Sequence, residues 1–230
     1  MPNMRLLLKL GVIAVTSRST RVFYDRVSPF YELLFTDHLS HIRTMATALS
    51  EELPAEHRIK VLDLACGTGA LSRRLEEQGF CVTGLDFSLQ SLCRLKQTTE
   101  SIRLIQADGS ALPFGSASFD VVTCMGAWRH FADPQGVLHE ICRVLRSDGI
   151  FFVGYFPPKL GGLFSVPTGR LGKTIVFLYG CVIRLLKYND KTDQEMERQT
   201  LQMTKLAFTK YRLIRSGKKT EYLILAESPR

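Results

Sequence analysis

The residues best suited to bind a ligand surround a glycine-rich turn at 61–69, which has the sequence VLDLACGTG. Gly67 and Gly69 allow the main chain to approach a ligand closely, because glycine has no Cβ. A turn that holds a pyrophosphate usually reads G-x-G-x-x-G, but Ser72 occupies the third glycine position here. Asp63 would repel a phosphate, whereas it could orient an ammonium group through ordered water. The turn therefore favours a ligand with a cationic amino-acid end over a dinucleotide.

Carboxylates recur where the next two predicted strands end. Asp86 ends the second strand, 17 residues beyond Gly69, where it can accept two hydrogen bonds from ribose hydroxyls. Asp108 ends the third strand and can accept a hydrogen bond from an adenine amino group, while the N–H of Gly109 can reach a ring nitrogen. Phe87 adds an apolar face beside the ribose. Each aspartate alone could simply cap a helix, but together with the glycine turn they predict an adenosine site.

Alternating strands and helices must position these residues. Short apolar segments predict strands at 59–64, 81–86, 103–108, 119–124 and 150–156. Ser88 is expected to cap one intervening helix, and Asp133 with Pro134 to begin another that Gly149 closes. This order predicts an α/β fold with a doubly wound, Rossmann-like, seven-stranded sheet. The sheet should be mostly parallel, with a C-terminal antiparallel hairpin and a ligand crevice at the strand carboxyl ends.

The chain of 230 residues has the composition of a globular protein, with 45% hydrophobic residues. We expect N-terminal helices at 1–52 that cover the cleft, and a Rossmann-like core at 53–158. A cap or insertion is expected at 159–208, and a hairpin that completes the sheet at 209–230. The six cysteines form no C-x-x-C pair and match no zinc pattern, so we expect buried thiols, a reducing compartment and no metal.

The net charge of +8 is divided unevenly along the chain. Residues 1–21 carry a net +4, residues 22–158 a net −4 and residues 159–230 a net +8. Basic ends suggest an anionic partner, either a membrane surface or a nucleic acid, although an ordinary solvated face is the alternative. The nucleic-acid interpretation is the weaker one, because no RNA-binding module is recognisable.

Two apolar segments flanked by basic residues favour the membrane among these partners. Leu6–Val15 and Ile175–Ile183 are too short to span a bilayer, but they suit a position in its interface. Each could instead be a helix that packs into the core. The resulting hypothesis is a cytoplasmic protein, peripheral on the inner face of the membrane, that contacts anionic lipid through residues 1–21 and 173–187.

The chain resembles class I S-adenosylmethionine-dependent methyltransferases and, within them, is similar to the ubiquinone/menaquinone C-methyltransferase family. The resemblance covers about residues 24–156. It is carried by YDRVSP at 24–29, VLDLACGTG at 61–69, LDFS at 85–88, ADGSALPF at 107–114, SFDVV at 118–122 and EICRVLRSDG at 140–149. Ala65 stands where many relatives have glycine.

This resemblance implies S-adenosyl-L-methionine as cofactor, S-adenosyl-L-homocysteine as product, and a set of binding residues. The methionine end would contact the turn residues Asp63, Ala65, Gly67, Thr68 and Gly69. Asp86 and Phe87 would take the ribose, and Asp108 and Gly109 the adenine. Cys124 would line the cleft after the fourth strand, and Tyr24 would close over it from the N-terminal helix.

The segment after the fourth strand should face the methyl acceptor. His130 is the candidate general base, because the usual histidine pKa suits neutral pH, although it could also be a loop histidine bonded to backbone. Arg129 could hold an anionic acceptor or pair with a neighbouring acid. The expected acceptor is small and hydrophobic, with a membrane-associated quinone carbon or a lipid first. A phospholipid amine, a soluble natural product and, less favoured, RNA are the alternatives.

Overall fold

The computed structural model describes residues 9–10, 12–13, 16–17, 19–31, 38–53, 59–155, 193–215 and 222–229. Its strands are β1 Lys60–Leu64, β2 Cys81–Asp86, β3 Arg103–Gln106, β4 Phe119–Met125, β5 Leu145–Tyr155, β6 Phe208–Arg215 and β7 Tyr222–Pro229. Its helices are α1 Thr20–Val27, α2 His38–Glu52, α3 Ala70–Glu77, α4 Leu89–Lys96, α5 Pro134–Val144 and α6 Asp193–Ala207. Two short 3-10 turns occupy Ser28–Phe30 and Trp128–His130.

The described strands form one seven-stranded sheet in the order β3-β2-β1-β4-β5-β7-β6. β1 to β5 pair in parallel, whereas β7 pairs antiparallel with both β5 and β6. The order reverses direction between β1 and β4, which is where open α/β sheets bind ligands. The predicted doubly wound sheet with a C-terminal hairpin is therefore confirmed.

Both faces of the central strands are buried, as their continuous apolar sequences predict. Leu62 and Leu64 of β1 face a cluster with α5, while Val61 faces the opposite cluster with α2 and α3. This alternation follows from the two-residue period of a strand. The carboxyl ends of β1, β2 and β4 are thereby held in fixed positions beneath the ligand crevice.

Helix capping residues were predicted correctly at two positions and wrongly at a third. The side chain of Ser88 accepts from Ser91 N, and that of Asp133 accepts from Gly136 N, as expected. Gly149 does not close α5, because that helix ends at Val144 and Gly149 lies within β5. Close packing favours glycine at this position, because a Cβ there would lie 2.9 Å from Leu145 and 3.0 Å from the carbonyl of Arg146.

The N-terminal and insertion predictions are covered only partly by the described residues. Of the apolar segment at 6–15, Leu10 is fully buried while Val12 is 61% exposed. The segment Ile175–Ile183 lies outside the described residues, as do 156–192, whereas α6 occupies the end of the predicted insertion. Among the residues that the structure describes, no helix is long and apolar enough to cross a membrane.

Candidate active site

A cavity of about 370 Å³ lies at the carboxyl ends of the parallel strands, beneath α1. Its volume falls in the range of cavities that hold a single small ligand. Nine of the residues predicted from sequence line it: Tyr24, Ala65, Gly67, Thr68, Asp86, Phe87, Asp108, Gly109 and His130. The crevice predicted from strand order is thus present, and most of the candidate residues meet in it.

Asp86 is held firmly in the wall of the cavity by main-chain donors. Its Oδ2 accepts a hydrogen bond from Gly67 N at 2.8 Å, and its Oδ1 accepts one from Ser88 N, also at 2.8 Å. Burial raises the pKa of Asp86, while the backbone hydrogen bonds act in the opposite direction. The carboxylate therefore joins the glycine turn to the start of α4 in one orientation.

Asp108 and Gly109 form a second polar position, which fits a flat heterocycle. Asp108 Oδ1 accepts from Ser110 N at 2.9 Å and from Ser110 Oγ at 2.7 Å, and these hydrogen bonds lower the pKa of Asp108. A Cβ at Gly109 would lie 3.1 Å from Phe131 and 3.5 Å from Leu64. The missing side chain leaves a slot between these two apolar residues, and the neighbouring carboxylate suits an exocyclic amino group.

Asp63 does not line the cavity and instead supports the glycine turn from below. Only 2% of Asp63 is exposed, and its carboxylate accepts hydrogen bonds from the hydroxyls of Ser72 and of Thr123, the latter at 2.9 Å. Burial raises the pKa of Asp63 to about 6, although these hydrogen bonds oppose the shift. Asp63 therefore lies behind the turn, outside the cavity wall, and its part in holding the methionine end of a ligand through water stays a prediction.

Two further predictions for cavity residues are corrected. Cys124 is completely buried in the core, and burial raises the pKa of its thiol. β4 continues one residue further than predicted, so Met125 and Gly126 line the cavity instead. Gly69 is also absent from the lining: it precedes α3 with a φ of +82°, where a Cβ would overlap Leu95. Its role is to turn the chain.

Tyr24 and His130 meet at one side of the cavity. The Tyr24 hydroxyl and His130 Nε2 are 3.0 Å apart. Burial, together with the positive charge of Arg129, lowers the pKa of His130 to about 3. The predicted pKa near neutrality is therefore wrong, because the ring is buried, and the imidazole is neutral at physiological pH. Arg129 itself does not line the cavity, so its contribution here is electrostatic.

An aromatic wall surrounds this pair, which the sequence analysis identified only in part. The Tyr24 ring centroid lies 6.1 Å from that of Phe87, 6.4 Å from that of Tyr31 and 5.5 Å from that of His130. Tyr31 follows the 24–29 segment by two residues, but its side-chain direction depends on the 3-10 turn at Ser28–Phe30. Pro29 at the start of that turn was the available indication, but it does not fix the direction of a side chain two residues later.

An ion pair on α5 fixes the loop that follows Asp108 and Gly109, and the sequence analysis missed it. Arg143 donates from Nη1 to the carbonyl of Phe114 at 2.7 Å and from Nη2 to that of Leu112 at 3.0 Å. Glu140 accepts from Leu112 N at 2.7 Å and binds Arg143. The spacing of Glu140 and Arg143, three residues apart on one helix, was the available indication.

Comparison with known proteins agrees with this geometry. Residues 62–153 match the family model described as a methyltransferase domain. A demethylmenaquinone methyltransferase from Thermus thermophilus is 34% identical over 154 residues, which cover 62% of this chain and 68% of the relative. A malonyl-[acyl-carrier protein] O-methyltransferase from Enterobacter lignolyticus is 33% identical over 136 residues, which cover 59% of this chain and 53% of the relative.

A solved structure extends the likeness across the whole fold. The plantazolicin methyltransferase in complex with SAH superposes with a TM-score of 0.62, at 15% identity, and covers 99% of this chain and 98% of its own. The family match and the sequence relatives identify an enzyme that uses S-adenosyl-L-methionine, and Asp86 and Asp108 both line the cavity. The chain belongs to the class I S-adenosylmethionine-dependent methyltransferases, in the group that resembles the ubiquinone/menaquinone C-methyltransferases.

Proposed function

We propose that this methyltransferase acts on a small hydrophobic acceptor, with the ring carbon of a reduced quinone as the leading candidate. The observation that carries the proposal is the aromatic wall of Tyr24, Tyr31, Phe87 and His130, which offers flat apolar surfaces to a planar ring. The demethylmenaquinone methyltransferase name of the Thermus thermophilus relative supports the same acceptor class.

The cofactor placement is part of this proposal. Asp86 would accept the ribose hydroxyls, Asp108 and Gly109 would take the adenine, and the turn at 65–68 would hold the methionine end. S-adenosyl-L-methionine supplies a methyl group already activated on a sulfonium, so the protein mainly has to align the acceptor. Tyr24 on α1 and His130 after β4 would then form the side of the cavity that receives the acceptor.

Methyl transfer to a hydroquinone carbon forms a carbon–carbon bond, breaks the sulfur–methyl bond and releases the ring proton. A neutral imidazole whose pKa is about 3 is a poor proton acceptor at neutral pH. We therefore assign activation to the acceptor, whose own ionised hydroxyl enriches the ring carbon in electrons. His130 would position the acceptor, and solvent would take the ring proton.

Association with an anionic membrane surface through residues 1–21 and 173–187 is proposed as the route to such an acceptor. Within the part of the N-terminus that is described, Lys9 and Val12 are both exposed, which pairs a cation with an apolar side chain. Flotation with anionic vesicles tests this proposal. Protein that stays at the bottom of the gradient, whether or not residues 1–21 are present, would contradict it.

The acceptor class is tested by transfer of a tritiated methyl group from S-adenosyl-L-methionine. The acceptors are a short-chain naphthohydroquinone kept reduced, its oxidised form, phosphatidylethanolamine vesicles, a malonyl thioester and bulk RNA. We expect label in the organic phase with the reduced naphthohydroquinone alone, and none with Asp86→Ala. Label on the amine, the thioester or the RNA, without any on the hydroquinone, would replace the proposed acceptor by the one that is labelled.

A further inference from the structure

The YDRVSP segment contains two residues that the proposed site leaves without a role, Asp25 and Ser28. Both contact α4, the helix that follows the ribose carboxylate. Asp25 Oδ1 accepts a hydrogen bond from Ser88 Oγ at 2.6 Å. Ser28 Oγ accepts one from Arg94 Nε at 3.2 Å. α1 and the 3-10 turn after it are therefore attached to α4 at two points.

Ser88 connects Asp25 directly to the carboxylate of the proposed ribose site. Its main-chain N–H donates to Asp86 Oδ1 at 2.8 Å, and its hydroxyl accepts from Ser91 N at 3.2 Å. A serine hydroxyl has one proton besides its lone pairs, and this proton is donated to Asp25. Capping α4 requires only the acceptor, so the Asp25 contact serves a purpose beyond the cap.

The environment makes this bond strong. Ser88 is completely buried, and the bond joins residues 63 positions apart in the chain. A hydrogen bond to an ionised carboxylate is about twice as strong as one between neutral groups. The negative charge of Asp25 also reaches Asp86, where it adds to burial in raising the pKa of that carboxyl.

α1 also reaches the other side of the cavity. Tyr24, the neighbour of Asp25, lines the cavity and contacts His130, which lies in the turn after β4. Ser88 follows β2, and β1 lies between β2 and β4 in the sheet. α1 thus contacts elements on both sides of the glycine turn. Asp25 contacts Ser88 after β2, and Tyr24 contacts His130 after β4.

We propose that Asp25 is a positioning residue for cofactor binding: through Ser88 it fixes the orientation of Asp86 and keeps Tyr24 over the cavity. The inference rests on the proposed placement of the ribose at Asp86. Loss of the Asp25 carboxylate removes the contact between α1 and Ser88 at the start of α4. We therefore expect the bound cofactor or product to dissociate faster. The proposal requires no contact between Asp25 and the ligand.

The test uses S-adenosyl-L-homocysteine as the probe, so that it does not depend on the acceptor. Affinity is measured by calorimetry and the dissociation rate by stopped-flow displacement, for Asp25→Ala, Asp25→Asn and wild type. We expect Asp25→Ala to raise Kd and the dissociation rate about tenfold, the cost of one charge-assisted hydrogen bond. Asp25→Asn keeps an acceptor oxygen for Ser88 and should restore Kd to within about threefold of wild type. Asp148→Ala, an exposed aspartate outside the cavity, is the matched control and should not change Kd.

Two results would overturn the inference. One is wild-type affinity in Asp25→Ala. The other is an equal loss of affinity in Asp25→Ala and Asp25→Asn with equal loss of thermal stability, which would show a purely structural role. Asp86→Ala separates this inference from the site on which it rests. Wild-type affinity in Asp86→Ala would reject the ribose placement itself, whereas lost affinity there with an unaffected Asp25→Ala rejects only the role of Asp25.

Discussion

The Tyr24 hydroxyl lies 3.0 Å from His130 Nε2, so this contact joins α1 to the turn after β4 across 106 residues of chain. Since both residues line the cavity, the contact closes one side of it. Tyr24→Phe removes the hydroxyl and keeps the ring. We expect about fivefold weaker binding of S-adenosyl-L-homocysteine, from the loss of one hydrogen bond of about 1 kcal/mol.

Calorimetry on a double-mutant cycle checks this contact. Tyr24→Phe and His130→Asn should each weaken binding, and the double variant should bind about as weakly as the weaker single variant, because both remove the same interaction. Tyr211→Phe on β6 is the control and should bind as wild type, since Tyr211 lies outside the cavity. Fully additive effects would show that the pair does not act as a unit.

The neutral state of His130 predicts that the dependence of kcat/KM on pH shows no rise or fall caused by titration of this histidine. Because the pKa of His130 is lowered to about 3, its charge does not change between pH 5.5 and 9. The profiles of kcat/KM for wild type and His130→Gln should therefore have the same shape over that range, whatever their height. An ascending limb near pH 6.5 that disappears in His130→Gln would contradict the prediction.

The same shift predicts acid sensitivity of the fold. The folded pKa of His130 is below the usual 6.5, so the unfolded chain binds the proton first. Stability from this residue is fully present above pH 6.5 and is lost as the pH falls towards 3. Urea unfolding of wild type and His130→Gln should show a stability difference that changes between these two values and is constant above them.

The raised pKa of Asp63 predicts the opposite dependence of folding stability on pH. Its pKa is raised from 3.8 to about 6 by burial, so ionisation costs more in the folded state than in the unfolded chain. Stability from this residue is fully present below pH 3.8 and is lost as the pH rises through 6. Asp63→Asn carries no charge, so its free energy of unfolding should rise relative to wild type by up to about 3 kcal/mol between pH 4 and pH 7.5. Urea unfolding curves whose difference is independent of pH would show that Asp63 is not desolvated.

Alanine substitutions at Gly69 and Gly79 distinguish the cost of steric overlap from the cost of a left-handed backbone. Gly69→Ala places a methyl group against Leu95 at a φ of +82°. Gly79 has a similar φ of +90°, but nothing lies within 4 Å of a Cβ there. We expect Gly79→Ala to cost about 1 kcal/mol from the left-handed backbone, and Gly69→Ala about 3 kcal/mol or more, because packing must also shift. Equal shifts in Tm would mean that Leu95 moves away at no cost.

Arg143 should affect adenosine binding from outside the cavity. It holds the carbonyls of Leu112 and Phe114, in the loop that follows Asp108 and Gly109. Arg143→Lys keeps the charge but cannot reach two carbonyls with a planar fork. We expect adenosine itself to bind several-fold more weakly to Arg143→Lys, measured by calorimetry. Arg74→Lys, whose partner Glu77 is exposed on α3, should bind adenosine as wild type.

The fold could be predicted because its determinants are local. Val121 and Val122 face opposite sides of a buried sheet, and their apolar run needs no distant partner to be recognised. Ser88 and Asp133 cap helices through neighbours three residues away. The positions of Asp86 and Asp108 followed from the same periodicity, because parallel strands bring their carboxyl ends to one edge.

The corrected predictions depended either on where a helix or strand ends or on burial by distant residues. Cys124 and Met125 are adjacent, so which of them meets the cavity depends on where β4 ends. The pKa of His130 depends on burial of the ring and on the charge of Arg129, and the ring contacts Tyr24, which is far away in the chain. The carboxylate of Asp63 accepts hydrogen bonds from Ser72 and Thr123, and Thr123 lies on another strand, β4. Sequence spacing carries no information on such encounters.

The position of β7 has a consequence for how the molecule is made. β7 is the last of the described strands in chain order, yet it lies between β5 and β6 and contributes the fully buried Ile224, Leu225 and Ala226. During synthesis, β1 to β4 with the cavity residues leave the ribosome first and can begin to pair. β5 can pair with β4, but its other edge and the whole of β6 must wait until residues 222–229 arrive between them. The nascent chain is therefore exposed to aggregation through this uncovered edge in the interval just before β7 emerges.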